Sequence, residues 1–148
     1  MMKANSIDIL LVEDNMEDAE LTIIELKKHN MANNLHHVID GEQALEFIFS
    51  TGEFSGSQDA IKSMKLILLD IKMPKLNGIE VLKKLRDEES TKLIPVVILT
   101  SSREDPDIKT CYELGANSYI VKPVNFERFA EAIKGLGFYW LLLNQPPV

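Results

Sequence analysis

Five short, largely apolar segments recur along the chain and constrain its fold more than any other feature. They are Ile7–Val12, Leu35–Ile39, Leu66–Leu69, Val96–Leu99 and Ser118–Val121. Segments of this length that are rich in Val, Ile and Leu are typical of strands buried on both faces. Strands of that kind belong to parallel sheets that helices cover on each side.

Stretches with apolar residues at helical spacing separate these segments, so strand and helix alternate five times. Asn15 precedes the first such stretch as a candidate N-cap, with the acids Glu17 and Asp18 in the first turn of that helix. Asp105 is a candidate cap of the fourth helix with Pro106 as its first residue, and Asn125 caps the last. Gly115 lies where the fourth helix should end. The alternation predicts an α/β fold with a doubly wound, five-stranded parallel sheet and right-handed crossovers.

The composition fits a single globular domain that covers residues 1–148. A hydrophobic fraction of 45% excludes a disordered chain, and a formal net charge of −7 argues against a nucleic-acid-binding surface. One cysteine, Cys111, excludes an intramolecular disulfide and favours a reducing compartment. The N-terminal apolar run is followed at once by acids, which is typical of neither a signal peptide nor a membrane span. We therefore expect a cytoplasmic protein that binds neither nucleic acid nor membrane.

Residues suited to chemistry follow four of the five predicted strands. They are Glu13-Asp14 after the first strand, Asp70 after the third, Thr100 after the fourth and Lys122 after the fifth. The carboxyl ends of parallel strands meet at one edge of an open sheet, where ligands bind. Three crowded carboxylates repel one another, and a hard divalent cation such as Mg²⁺ would compensate their charge. A cation, an ammonium and a hydroxyl around Asp70 could stabilise a phosphoryl group moving to that carboxylate, which makes Asp70 the predicted nucleophile.

Each of these residues also has an ordinary structural interpretation. Glu13-Asp14 alone would be acids at a helix N-terminus, where negative charge suits the helix dipole. Thr100 could simply end a strand, and Lys122 could be a solvated lysine. Their joint occurrence at neighbouring strand ends favours a metal and phosphoryl site. For Tyr119, plain packing and a functional role are equally open.

Four stretches in this order, ILLVEDN, LILLDIKMPKLNG, VVILTSS and YIVKP, resemble the receiver domains of two-component response regulators. The resemblance covers about residues 6–134. It implies a flavodoxin-like receiver fold with strand order 2-1-3-4-5. It also implies that a sensor histidine kinase supplies the phosphoryl group, and that output passes through a downstream protein or a phosphorelay. The chain would thus be a signalling switch and not an enzyme in the usual sense.

The resemblance assigns a metal site to the acidic residues. Asp14 and Asp70 would bind Mg²⁺ directly, Glu13 would act through water, and Lys72 would contribute its backbone carbonyl. Many relatives have Asp at the first acidic position, and the longer Glu13 side chain should carry its carboxylate outward. The long, cationic Lys72 side chain could also screen an acyl phosphate from water.

The resemblance also assigns the phosphoryl contacts and the switch. Thr100 would donate a hydrogen bond to a phosphoryl oxygen, and Lys122 would pair with the phosphoryl group. Tyr119 matches the switch aromatic, which turns inward when Thr100 moves toward the phosphoryl group. The Lys122-Pro123 bond is expected to be cis, an isomer that proline tolerates.

Beyond residue 134 the chain continues with the apolar run Phe138–Leu143, and we expect a helical extension over residues 135–148. A continued helix would leave large side chains off its inward face: Phe138, Tyr139, Leu141 and Leu142. Such a patch favours a protein contact, most simply a two-fold homodimer. The alternative is that the tail covers the edge of its own sheet. The long loop Ser50–Ser63, together with this tail, resembles single-domain regulators that work with phytochrome-type kinases.

Two other functions are considered. Phosphohydrolases that form an aspartyl phosphate commonly carry a second Asp two residues after the nucleophile as a general acid, and this chain has Lys72 there. A receiver-like module that binds partners without taking phosphate usually lacks the acids or the lysine, and this chain has all of them. Both features favour the phospho-accepting switch.

Overall fold

The computed structural model describes residues 8–29, 34–49 and 64–134. The predicted loop Ser50–Ser63 and the predicted contact through Phe138, Tyr139, Leu141 and Leu142 lie outside the described residues, as does the extension over residues 135–148. Ten elements alternate along the described chain. They are β1 Ile9–Val12, α1 Met16–Lys28, β2 Leu35–Val38, α2 Gly41–Ile48, β3 Leu66–Asp70, α3 Gly78–Asp87, β4 Val96–Thr100, α4 Asp107–Glu113, β5 Ser118–Val121 and α5 Phe126–Lys134.

The five strands form one parallel sheet in the order β2-β1-β3-β4-β5, which confirms the predicted architecture. The register pairs Val12 with Leu69, and Thr100 with Val121. Asp70 pairs with Leu99 at the end of β3. The strand ends therefore form one edge, and the order reverses between β1 and β3, which is where doubly wound sheets bind ligands.

Alternate strand residues enter two separate cores, one on each face of the sheet. On one face, β1 and β3 contribute Leu10, Val12, Ile67 and Leu69, which pack with α2, α3 and α4. On the other face they contribute Ile9, Leu11, Leu66 and Leu68, which pack with α1 and α5. Because both faces of the sheet are buried, polar and apolar residues do not alternate along the strands. The carboxyl edge of the sheet is therefore where the strands can present functional side chains.

The helix boundaries follow the predicted caps with one difference. The side chain of Asn15 accepts a hydrogen bond from the Asp18 N–H, and that of Asn125 accepts one from the Arg128 N–H. Gly115, after α4, has a φ of 103°, a left-handed conformation that favours glycine. The fourth helix was predicted to start with Pro106 as its first residue, but α4 begins at Asp107.

No helix within the described ranges is both long enough and apolar enough to cross a bilayer.

Candidate functional site

Six of the predicted site residues line a single cleft of about 190 Å³ at the carboxyl edge of the sheet. They are Glu13, Asp14, Asp70, Lys72, Thr100 and Lys122. The strands fix their positions through the backbone: the Glu13 N–H donates to the Val38 carbonyl, and the Lys122 N–H donates to the Thr100 carbonyl at 2.8 Å. Residues that are far apart in the sequence are thus held at neighbouring strand ends.

Three carboxylates in this cleft form a group that could hold a cation. Glu13, Asp14 and Asp70 each offer an oxygen, and these oxygens all lie within 4.8 Å of one another. Glu13 and Asp70 are buried, whereas Asp14 is exposed. Hard divalent cations such as Mg²⁺ bind through one or two carboxylates and keep several waters, so this donor set fits such an ion.

The Glu13 side chain does not follow the sequence expectation that it is carried outward. Its exposure is 0%, and its Oε1 lies 3.0 Å from Lys122 Nζ. Its Oε2 accepts a hydrogen bond from the Asn15 N–H at 3.2 Å. The extra methylene therefore lets the carboxylate fold back between the ammonium of Lys122 and the start of α1.

Lys122 places its ammonium among the carboxylates of this cleft. Its Nζ lies 3.0 Å from Glu13 Oε1, 3.1 Å from Asp18 Oδ2 and 3.4 Å from Asp70 Oδ2. An ammonium has three hydrogens to donate, so these three carboxylates can satisfy it completely. The peptide bond that follows it, Lys122-Pro123, is cis, as expected.

Charge and burial act in opposite directions on Asp70 and Lys122. Burial, and after it the neighbouring Glu13, raise the pKa of the Asp70 carboxyl to about 8 against the opposing effect of Lys122. Burial alone would lower the pKa of Lys122, but its hydrogen bond to Glu13 and the charges of Asp70 and Glu13 outweigh burial and raise it. Without a metal ion the cleft thus favours a protonated Asp70 beside a charged lysine.

Thr100 is buried at the end of β4, and its hydroxyl is directed at the loop that follows. Oγ1 lies 3.1 Å from the Ser102 carbonyl oxygen and 3.3 Å from Asp105 Oδ2. Lys72, whose side chain is 73% exposed, approaches the same Asp105 oxygen at 3.8 Å. Thr100 and Lys72 thus share a carboxylate that the sequence analysis did not assign to the site.

The backbone at Asp70 is closely packed against the start of α3. The Gly78 N–H donates to the Ile71 carbonyl at 2.7 Å. A Cβ at Gly78 would lie 2.4 Å from the Asp70 carbonyl oxygen, which is closer than real Cβ contacts allow. Glycine is therefore required here so that α3 can hold the end of β3 in place.

Tyr119 does not line this cleft. Its half-buried ring packs edge-on against Tyr112, with ring centroids 6.3 Å apart, and it lines a separate cleft of about 220 Å³ with Arg103 and Arg128. It also contacts the core on the side of α4. Packing accounts for this position, and a switch role stays a prediction.

Two residues of the cleft, Asp18 and Asp105, were missed as site residues. The sequence indicated Asp18 only as an acid in the first turn of a helix, and Asp105 only as a cap. Asp18 lies in the first turn of α1, as predicted. Asp105 Oδ1 accepts a hydrogen bond from the Asp107 N–H, although Pro106 and not Asp105 stands at the N-cap of α4. Their contacts with Lys122 and Thr100 depend on tertiary packing, which local spacing does not reveal.

The family model described as the response regulator receiver domain matches residues 9–134. Response regulator Rcp1 of Synechocystis is 36% identical over 133 residues, which cover 90% of this chain and 88% of that protein. The solved bacteriophytochrome response regulator RtBRR is 45% identical with a TM-score of 0.83, over 96% of this chain and 84% of the other.

Two further solved structures are informative because of their state. The Mn²⁺-bound form of Rcp1 is 34% identical with a TM-score of 0.68, over 95% of this chain and 98% of the other. The phosphorylated cyanobacterial phytochrome response regulator RcpA is 34% identical with a TM-score of 0.73, over 92% of this chain and 94% of the other.

Chemically, the arrangement in this chain combines a buried carboxylate, a neighbouring ammonium, a hydroxyl and a donor set for a divalent cation.

Proposed function

The chain belongs to the response regulator receiver domain family, and from that premise we propose that Asp70 is its phosphoryl acceptor and Mg²⁺ its metal. The protein is thus a phospho-accepting response regulator, and receiver domains of this family take the phosphoryl group from sensor histidine kinases. The assignment rests on the position of Lys122 Nζ, which lies within 3.4 Å of both Asp70 and Glu13. This ammonium links the proposed acceptor to the acidic group that would hold the metal ion.

Asp70 would act as the nucleophile of an in-line transfer. One of its carboxylate oxygens forms a bond to phosphorus as the N–P bond of the kinase phosphohistidine breaks. The imidazole nitrogen keeps the electron pair of that bond and takes up a proton. Asp70 is only 5% exposed, and the low local dielectric strengthens the electrostatic contacts that it makes.

The metal would be held directly by Asp14 and Asp70 and by the backbone carbonyl of Lys72, and Glu13 would act through water. When bound, Mg²⁺ supplies positive charge that neutralises the transferring phosphoryl group. Receiver domains bind a divalent metal, and Mn²⁺ occupies the related Rcp1. The close carboxylate oxygens of this chain support the same type of site here.

Lys122 and Thr100 would stabilise the phosphoryl group after transfer. Lys122 already donates toward Asp70, so its third hydrogen can pass to a phosphoryl oxygen with little movement. Thr100 would have to turn from the loop toward the phosphoryl group, and Tyr119 would then move inward. Such a switch is a shift of population between two arrangements, which the new phosphoryl contacts favour.

The phosphohydrolase alternative is not favoured. Its general acid would lie two residues after Asp70, where this chain has Lys72, and that side chain is mostly exposed and faces Asp105. Receiver domains are generally signalling modules, and we propose that this chain is not an enzyme in the usual sense. A module that never takes phosphate is equally disfavoured by the presence of Asp70, Lys122 and the acidic group together.

The phosphodonor would be a histidine kinase of the phytochrome type, because two of the similar solved structures are described as phytochrome-linked regulators. Output would pass to a downstream protein or a phosphotransfer partner. Self-association through Phe138, Tyr139, Leu141 and Leu142 rests on the sequence alone. Light scattering of the full chain and of a chain ending at Lys134 would test it, since a monomer in both cases contradicts a dimer.

Incubation with acetyl phosphate and Mg²⁺ tests the function. We expect one added phosphoryl group by intact-mass spectrometry, which chelation of Mg²⁺ prevents. Asp70→Asn should abolish the addition, whereas Asp87→Asn, at an exposed position of α3, should not. Rapid turnover of phosphate esters would instead support a hydrolase, and absence of labelling in the wild-type chain would contradict the proposal.

A further inference from the structure

The hydroxyl of Thr100 is occupied by the loop between β4 and α4. It lies 3.1 Å from the Ser102 carbonyl oxygen and 3.3 Å from Asp105 Oδ2. A threonine hydroxyl has one hydrogen to donate, so these two acceptors compete for it. Any group on Asp70 that needs this hydrogen must take it from one of them.

The carboxylate of Asp105 is held firmly in this position. Its side chain is only 6% exposed, and Oδ1 accepts a hydrogen bond from the Asp107 N–H at 2.9 Å. The Asp105 N–H itself donates to the Ser102 carbonyl at 3.2 Å. One carboxylate oxygen is therefore fixed by the start of α4, and the other faces Thr100.

The charge of Asp105 also bears on the cleft, which it lines together with Asp70. Lys72 pairs with it, but the 3.8 Å separation and the 73% exposure of that lysine leave the pair weakly coupled. A phosphoryl group on Asp70 would bring more negative charge near Asp105. Charge repulsion and the hydrogen bond to Thr100 therefore both oppose the phosphorylated arrangement.

We propose that Asp105 is a positioning residue that holds Thr100 in its unphosphorylated arrangement and so sets how readily the switch responds. The inference rests on the proposed function, because it takes Asp70 as the acceptor and Thr100 as the donor to the phosphoryl group. Hydrogen bonds to a charged acceptor are about twice as strong as neutral ones, so removal of this charge weakens the restraint.

Asp105→Asn is the informative variant. Asparagine is similar in shape, and its side-chain oxygen can still accept the hydrogen bond from the Asp107 N–H, so the start of α4 is kept while the charge is lost. Asp105→Ser is a second uncharged variant, whose hydroxyl oxygen can also accept that hydrogen bond. Glu104→Gln removes the same charge from the adjacent, exposed position and serves as the matched control.

The measurement is the affinity of the full chain for beryllofluoride at saturating Mg²⁺, since this tetrahedral anion bonds to a carboxylate oxygen as a phosphoryl group does. We expect Asp105→Asn and Asp105→Ser to tighten binding about threefold to tenfold, because each variant replaces the charged acceptor of the Thr100 hydrogen bond with a weaker, neutral one. Glu104→Gln should change it less than about twofold. The affinity for Mg²⁺ alone should not tighten in any of the variants.

The effect must pass through the Thr100 hydroxyl. In a Thr100→Val background, which removes that hydroxyl, Asp105→Asn should therefore change the affinity for beryllofluoride much less than in the wild-type chain. An equal tightening in both backgrounds would mean that Asp105 acts by charge alone, and would overturn the inference.

The remaining outcomes separate this inference from the proposed function. If the wild-type chain binds beryllofluoride and Asp70→Asn abolishes binding, the acceptor assignment stands. An unchanged affinity after Asp105→Asn then overturns the positioning role alone. If the wild-type chain binds no beryllofluoride, or still binds it after Asp70→Asn, both proposals fail.

Discussion

Lys122 Nζ lies 3.0 Å from Oε1 of Glu13, although 109 positions separate the two residues in the chain. Glu13 is completely buried, so its carboxylate lacks the water that would otherwise solvate its charge. The ammonium of Lys122 compensates that charge, which makes this ion pair unlike those on the protein surface. The same pair also fixes the lysine beside Asp70, so stability and site geometry depend on one contact.

Lys122→Met should lower the free energy of unfolding of the metal-free protein by about 3–5 kcal/mol, because it leaves Glu13 buried without its cation. Urea denaturation would measure the change. Lys92→Met is the matched control: Lys92 pairs with Glu89 at 3.0 Å, but both side chains are exposed, and its loss should cost less than about 0.5 kcal/mol. Equal effects of the two substitutions would contradict the distinction drawn between these pairs.

The stability of the metal-free protein should depend on pH through Asp70. Its pKa is raised to about 8 in the folded chain, against about 3.9 in an unfolded one. The raised pKa of Asp70 therefore stabilises the folded state fully below about pH 4. This stabilisation is lost progressively as the pH rises to about 8, since over that interval only the unfolded chain releases the Asp70 proton. In EDTA, the unfolding free energy of wild type relative to Asp70→Asn should fall between pH 5 and pH 8. A difference that stays constant over this interval would contradict the raised pKa.

Asp14→Asn should weaken Mg²⁺ binding about tenfold or more, because it removes one carboxylate ligand of the metal. The thermal stability of the metal-free protein should stay almost unchanged. Asp14 is exposed, and its charge is therefore solvated when no metal is bound. Isothermal titration calorimetry gives the affinity, and thermal unfolding in EDTA gives the stability. Glu17→Gln, which removes an exposed acid from the first turn of α1, is the control for net charge. Comparable weakening by both variants would argue against direct ligation by Asp14.

Gly78→Ala should destabilise the protein by about 1–3 kcal/mol and slow phosphorylation at Asp70. The added methyl would meet the Asp70 carbonyl oxygen at 2.4 Å, so either α3 or the end of β3 must shift. Lys83→Ala, at an exposed position of the same helix, should be nearly neutral. Urea denaturation together with the acetyl phosphate labelling rate would check both effects, and a stable, fully active Gly78→Ala protein would refute the close approach.

Much of the architecture could be predicted from the sequence because the strand signals are strong and local. Runs such as Leu66–Leu69 indicate a strand buried on both faces, and the alternation with helices then favours a parallel sheet. The strand order 2-1-3-4-5 came from the resemblance and is confirmed, whereas periodicity alone does not fix it. The start of α4 is shifted by one residue, to Asp107, and Pro106 stands at its N-cap.

The site was predictable only in part, for a physical reason. Residues at strand ends, such as Asp70 and Lys122, have positions that the sheet dictates, so their convergence follows from topology. Asp18 and Asp105 lie on a helix and a loop, where the direction of a side chain depends on how those elements pack. Asp18 and its neighbour Glu17 are alike in sequence, and only the packing of α1 on its face of the sheet directs Asp18 toward Lys122.

The groups of the cleft come from the ends of β1, β3, β4 and β5 or from the loops and helices that follow them, and Lys122, directly after β5, is the last of them along the chain. A nascent or proteolysed chain that lacks this last part therefore carries the acceptor carboxylate without its ammonium partner. We expect such fragments to be poor substrates for a kinase. Incomplete molecules would then neither take phosphoryl groups from the intact protein nor undergo the switch themselves.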